Sequence, residues 1–420
     1  MKNVTLTALV CLQALAINAA AQTAAPADWQ TGFGVDERVR MENRNNFDLD
    51  SAKSDYAEVM YQRLKLNARA ELPGKLELFA EGMDLRAAYQ NMKRPLQKDN
   101  MDLHQAYLAV KGVAGIPLEL KVGRQELKYG QGRLIWAATW SNRINHFDAA
   151  VLKYKSGGLS ADAFYGQRIV YNENAWNDPN NHDTLAGTYV TYRKNKNAPL
   201  VEGYVLSNYD NSSSSTLSRN TVGVHGQARL PGALVLDLEL PYQFGKSAGK
   251  NVYAGAFHAD LSREFKSAWG PRIAAIYNYA SGDRNPSDSV NNTFIPLYQS
   301  THDPYGLMDL FRWENVKEAA LEVSAKPSKG FKLTAGTNFF WLASAKDSWY
   351  DSSGKKLRTS AAGTAGTYVG QEASLAAKCD LGGGAGLEGG YARFFAGTYV
   401  KNTGTHDNAD WLYLQLSVKM

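Results

Sequence analysis

The chain has 420 residues, with 46 Lys plus Arg against 41 Asp plus Glu, a formal charge of +5. That small excess excludes the dense basic surface of a nucleic-acid binder, so no nucleic-acid partner is expected. Past the N-terminus no apolar run reaches the ~18 residues of a transmembrane helix. If this chain is to cross a membrane it must do so as a closed β-barrel, with apolar and polar residues taking turns.

The N-terminus opens on Met1-Lys2-Asn3, continues through a mostly apolar stretch from Val4 to Ile17, and ends in Ala19-Ala20-Ala21. This is the layout of a secretory signal peptide over residues 1–21, with Gln22 as the new N-terminus. Cys11 falls inside the leader and leaves Cys379 alone, so no disulfide framework and no Cys-based zinc site is expected. Residues 22–34 read as an N-terminal periplasmic segment and 35–420 as an outer-membrane β-barrel.

From residue 35 onward the pattern has period two. Leu64, Leu66, Ala68, Ala70 and Leu72 alternate with Arg63, Lys65, Asn67, Arg69 and Glu71. Successive side chains of a strand point to opposite faces, so one face is aliphatic and the other charged. Leu118, Leu120 and Val122 repeat the pattern, as do Leu234 to Leu240 against Val235, Asp237 and Glu239. It ends in Leu412, Leu414, Leu416, Val418 and Met420. Very short turns at 72–75, 155–158, 230–233 and 327–330 alternate with long polar segments at 45–55, 88–101, 130–145, 171–183, 209–219, 283–311, 343–366 and 399–409. Short turns at one end and long loops at the other is the asymmetry of outer-membrane barrels. The fold class is therefore all-β, a transmembrane antiparallel barrel of about 18 strands. Tyr277, Tyr279, Phe339, Trp341, Phe394, Phe395 and Trp411 are expected to form interfacial girdles.

Catalytic constellations are missing from the sequence. The seven histidines are scattered, with no pair at metal-ligand spacing. Gly245-Lys246-Ser247 lacks the upstream glycine of a P-loop, since Leu240 stands there. No enzyme activity, cofactor or metal is expected. The chemistry lies instead on the polar face. Alternation assigns Arg38, Arg40, Arg63, Lys65, Arg69, Lys121, Arg168 and Arg312 to the lumen, with Glu42, Glu71, Glu77, Glu81, Glu119, Asp162, Glu314, Glu318, Glu322 and Glu372 as neutralising carboxylates. Guanidinium groups keep their charge and offer several donors to a carboxylate. A path lined by them favours anions, and weak binding at many sites lets the solute leave.

Residues 122–148 read VGRQELKYGQGRLIWAATWSNRINHFD, 277–286 YNYASGDRNP, 339–350 FFWLASAKDSWY and 389–395 GGYARFF. Together these stretches resemble the alginate-export family of outer-membrane proteins, from about Gly34 to Met420. The resemblance implies an 18-stranded monomeric barrel that passes alginate, a polyuronate, through an arginine-rich lumen. It adds Arg124, Glu126, Arg133, Arg143 and Arg393 to the expected path; alternation is disturbed around Gly123–Gly130 and Arg393. Two departures stand out. The connection Cys379 to Ala385 is short where the alginate channel carries a long periplasmic loop, and the last residue is Met420 rather than an aromatic.

The expectation is thus a passive, anion-selective outer-membrane channel for an anionic or uronic-acid-type solute, with a nutrient-uptake porin for small anionic or sugar solutes as the alternative. A structural or adhesive barrel closed by its loops is a third reading. The expected partners are outer-membrane lipid, an anionic polysaccharide or small anion, the barrel-assembly machinery and a periplasmic secretion partner.

Overall fold

A computed structural model describes residues 28–420 except 54, 91–96, 212–215, 301 and 303. The leader expected at 1–21 lies outside the described residues. The alternating segments fold as strands β1 (Gln30–Asn45), β2 (Ala57–Leu72), β3 (Leu76–Gln90), β4 (Asp99–Lys111), β5 (Leu118–Gln125), β6 (Phe147–Ser156) and β7 (Leu159–Val170). They continue as β8 (Asp178–Tyr192), β9 (Leu200–Asp210), β10 (Leu217–Leu230), β11 (Leu234–Ser247), β12 (Lys250–Glu264) and β13 (Arg272–Ala280). After the two-residue β14 (Val290–Asn291) come β15 (Val316–Ser328) and β16 (Phe331–Leu342). A small hairpin, β17 (Ser348–Tyr350) and β18 (Lys356–Thr359), precedes β19 (Tyr368–Gly382), β20 (Ala385–Ala396) and β21 (Ala409–Lys419).

β1 pairs antiparallel with β2 on one side and with β21 on the other, which closes the sheet. The sheet holds nineteen strands; β14 only flanks β12, in parallel, so eighteen antiparallel strands form the barrel. β1 already pairs with β2 at Gln30, so the barrel begins five residues before the expected boundary at 35.

Register carries the two faces around the ring. Val35 lies opposite Leu66 on the outer face, and Arg38 opposite Arg63 on the inner one. Leu108, Leu120, Leu152, Val205, Leu240, Leu321, Leu375 and Leu412 are exposed outward, whereas Asp237, Glu239, Glu318 and Glu372 are buried inside. This is the arrangement a hydrocarbon exterior requires, since a lysine or arginine facing the midplane costs about 2–4 kcal/mol. The expected short turns at one end are all present, and β19 to β20 is another of them. The opposite end has one short connection too, between Ser247 and Lys250, where Ala248 and Gly249 take φ of 51° and 80°. Paired positive φ is what a two-residue hairpin needs.

Two of the expected girdle aromatics face inward. Phe394 and Trp411 are 0% and 1% exposed within the interior cluster, while Tyr277 and Phe395 are exposed outward. Phe394 and Trp411 pack against loops that fold into the barrel, which strand alternation alone does not reveal.

Candidate functional site

The lumen is filled from the long-loop end chiefly by two connections, against which Trp349 of the connection between β16 and β19 also packs. One runs from Glu126 to His146 between β5 and β6, the other from Ser281 to Asn315 between β13 and β15. They join where Ile135 and Tyr298 form a parallel bridge. Trp136 N donates to Tyr298 O at 2.7 Å, Tyr298 N to Leu134 O at 2.7 Å and Ser300 N to Gly132 O at 2.8 Å. The loops carry enough apolar residues for this: Leu127, Leu134, Ile135, Phe294, Tyr305, Met308, Leu310, Phe311 and Trp313 are buried in one cluster. Phe311 stacks on Phe340 of the wall at 3.7 Å between centroids. Gly306 (φ 82°) approaches Glu372 so closely that a Cβ would lie 2.7 Å from its carboxylate, which accepts from the N–H groups of Leu307 and Met308. The connection between β13 and β15 thus folds inward together with that between β5 and β6.

The β1–β2 wall grips the tip of the first loop with arginines. Arg38 donates to Thr139 O (2.9 Å), Trp140 O (2.7 Å) and Asn142 Oδ1 (2.9 Å). Arg63 donates to Thr139 O (2.8 Å) and Ser141 O (3.0 Å). Arg40 donates to Trp140 O (2.6 Å) and pairs with Glu42 (2.8 Å). Its guanidinium lies 3.9 Å from the centre of the Trp140 ring, and His302 stacks on that ring at 3.7 Å. Arg44 shares Glu42. Among the described residues, Arg38 and Arg63 have no carboxylate within ion-pair distance, although both are nearly fully buried.

The opposite wall grips the same loop with carboxylates. Arg133 reaches Glu239 at 2.7 Å and Asp237 at 2.9 Å. Burial works to strip its charge, but Glu239 and Asp237 outweigh that and hold its pKa above the ordinary value. Around this pair His225 bridges Glu202 (2.7 Å) and Asp237 (3.0 Å), and Tyr204 donates to Glu239 (2.8 Å). These wall residues were not among the expected site residues. The signal for Asp237 and Glu239 was present, as both sit on the polar face of the clearest alternating segment.

The other expected lumen cations except Lys121 are also ion-paired. Lys65 lies 3.2 Å from Glu81 and 4.0 Å from Glu126, and His104 Nε2 lies 2.8 Å from Glu126. Glu81, His104 and Glu126 could hold a cation by their donor atoms, but the Lys65 ammonium already supplies the positive charge there. Scattered spacing in sequence hid this cluster. Burial drives Glu126 up, and His104 and Lys128 pull it further down, well below the usual carboxylate range. Lys121 lies 3.6 Å over the Tyr107 ring, and Arg69 pairs with Glu71 and Glu77 near the turns. Arg143 pairs with Glu173 (3.1 Å), Arg168 with Asp183 (2.8 Å) and Arg312 with Glu314 (2.8 Å).

Arg124 and Arg393 are not in the lumen. Arg124 is opposite Asp148 in register, on the face of Val122 and Ala150, and binds that carboxylate at 2.8 Å. The backbone remains in step because Gly123 (φ 127°) lets β5 approach β4, where a Cβ would meet Ala106 O at 2.3 Å. Arg393 likewise shares the outer face with Tyr391 and Phe395 and pairs with Asp410 at 3.4 Å. Towards the short-turn end, below the infolded loops, a cavity of about 210 Å³ remains, lined among others by Glu318, Glu322, Glu388, Lys332, Lys378 and His302.

The alginate-export family model matches residues 29–413. The chain belongs to the alginate-export family. Solved structures similar to it are outer-membrane barrels. Pseudomonas aeruginosa OpdO superposes with a TM-score of 0.63 at 16% identity, covering 93% of this chain and 97% of that one. P. aeruginosa OccK11 (OpdR) gives 0.59 at 16%, covering 93% and 96%, and Acinetobacter baumannii OccAB2 0.61 at 11%, covering 93% and 98%. At these identities the likeness shows the fold alone. No curated protein matches the chain. Membership and fold together support an outer-membrane channel of the porin type.

Proposed function

We propose that this family member is a passive channel for anionic or uronic-acid-type solutes, an exported polysaccharide among them. The observation that carries the reading is the pair Arg38 and Arg63, inward guanidiniums with no carboxylate partner among the described residues. Elsewhere most inward cations have a carboxylate within ion-pair distance, Lys121 and Arg219 being exceptions among the described residues, so anion preference would rest chiefly on this sector rather than on a continuous basic ladder. The precursor would reach the outer membrane through signal-peptide cleavage and the barrel-assembly machinery and act there as a monomer. No step needs a cofactor; a concentration gradient or a periplasmic partner would supply the drive.

The test is the reversal potential of the purified protein in a planar bilayer under a potassium chloride gradient. A sign indicating chloride preference, reduced in Arg38→Gln/Arg63→Gln, supports the reading. Cation preference in the unaltered protein overturns it.

A nutrient-uptake porin is the second reading. It is favoured by the infolded loops and by the cavity of about 210 Å³, which suits a monomer better than a polymer strand. A deletion strain separates the two. Lost growth on a uronate favours uptake, and lost polysaccharide secretion favours export.

A further inference from the structure

We propose that the backbone carbonyls of Thr139, Trp140 and Ser141, with the side-chain oxygen of Asn142, occupy a carboxylate-binding site built by Arg38, Arg40 and Arg63. The loop tip is then an internal stand-in for the solute, and an anionic sugar competes with it. This deepens the channel reading above and rests on it.

The geometry is that of anion recognition with a neutral occupant. Three guanidiniums from adjacent strands converge on a few oxygens at 2.6–3.0 Å. Arg38 and Arg63 face each other in register, which puts two like charges side by side. Glu42 serves Arg40 and Arg44, so this sector holds four guanidiniums against one carboxylate within ion-pair distance, with Asp36 acting on Arg38 and Arg63 only from farther away. Carbonyl dipoles solvate cations without neutralising them, and a charge-assisted bond to a carboxylate is about twice as strong as one to a neutral acceptor. A permanent lock would carry a carboxylate, as the Arg133 anchor does. With carbonyls instead, a carboxylate gains more from the arginines than the loop loses by leaving. Displacement is limited to the tip, because Ile135 and Tyr298 hold the middle of the loop by backbone bonds.

The experiment uses the full mature chain, with Cys379→Ser as background, in single-channel recordings. Sodium glucuronate is the probe and glucose the neutral control. Open probability is expected to rise with glucuronate and not with glucose. Arg38→Gln/Arg63→Gln should raise the basal open probability about tenfold, since several charge-assisted bonds to the loop are lost, and should abolish the glucuronate response. An Ile135→Cys/Tyr298→Cys disulfide, which fixes only the part of the loop that stays in place and leaves all three arginines intact, should leave the response unchanged. A double glutamine variant with wild-type basal opening and an intact glucuronate response overturns the proposal, as does an oxidised disulfide form that has lost the response, because the motion would then run through the held middle of the loop and not the tip. Conductance that ignores glucuronate in every form sinks the latch alone. Silence in every form, with heat-modifiable gel mobility confirming folded barrels, overturns the channel reading and the latch with it.

Discussion

The loop between β5 and β6 is held to two walls by opposite arrangements of charge. At one place the loop supplies the arginine, Arg133, and the β11 wall supplies two carboxylates, Asp237 and Glu239. At the other the β1–β2 wall supplies Arg38 and Arg63 and the loop returns only backbone carbonyls and an amide oxygen. The first is a closed electrostatic unit, extended by His225, Glu202 and Tyr204, and leaves no positive charge to attract an anionic solute. The second leaves positive charge unspent. A barrel can thus use one residue type, at similar burial, both as a fastening and as a recognition element. What separates them is the acceptor.

The largest expected effect comes from breaking the fastened side. Arg133→Ala leaves Asp237 and Glu239 facing each other without their shared cation, and removing one partner of a buried pair costs about 3–5 kcal/mol. The loop should become a protease target in detergent, and the unfolding midpoint should drop. If Arg133→Ala matches the parent in both, the charge is not what holds that side.

A smaller, graded effect should come from pH. His146 closes the loop where it meets β6, with Nδ1 2.9 Å from Ile144 O. Burial, helped by the neighbouring His104, pushes its pKa down to about 3, so the folded loop holds it neutral. An unfolded histidine titrates near 6.5. Between these values the unfolded state binds the extra proton, and stability is lost as pH falls from about 6.5 towards 3. Acidification from pH 7 to 4 should therefore loosen the loop, read as increased proteolysis or conductance. His146→Gln should flatten that dependence. A slope unchanged by the substitution would assign it to another group.

The barrel was legible because its cause is local. Hydrocarbon outside and water inside impose period two on every strand, so Leu64 to Leu72 or Leu412 to Met420 announce their faces without reference to anything distant. The lumen was less legible because its fillers come from far away in sequence. Nothing near Trp140 says that its ring will lie between Arg40 and His302. Phe394 and Trp411 look like girdle residues until the loops they cover are in place. Glu81, His104 and Glu126 meet only through strand register. Arg124 and Arg393 entered the expected path by family resemblance, while register puts both on the outer face.

That outward placement gives the smallest expected effect. Arg124 bonds Asp148 and the carbonyls of Leu103 and Asn177, where the strands give way to the long loops. Partly exposed pairs of this kind contribute about 0–1 kcal/mol. With the side chain on the far side of the sheet from the lumen, Arg124→Gln should leave the reversal potential under a salt gradient unchanged, in contrast to Arg38→Gln/Arg63→Gln. Barrel stability should change only slightly. A shift in reversal potential as large as that of the double variant would put the Arg124 charge within reach of the permeating ion, against the register that pairs it with Asp148. The contrast isolates orientation as the variable: the same substitution on the two faces of one sheet should alter ion preference on one face and leave it alone on the other.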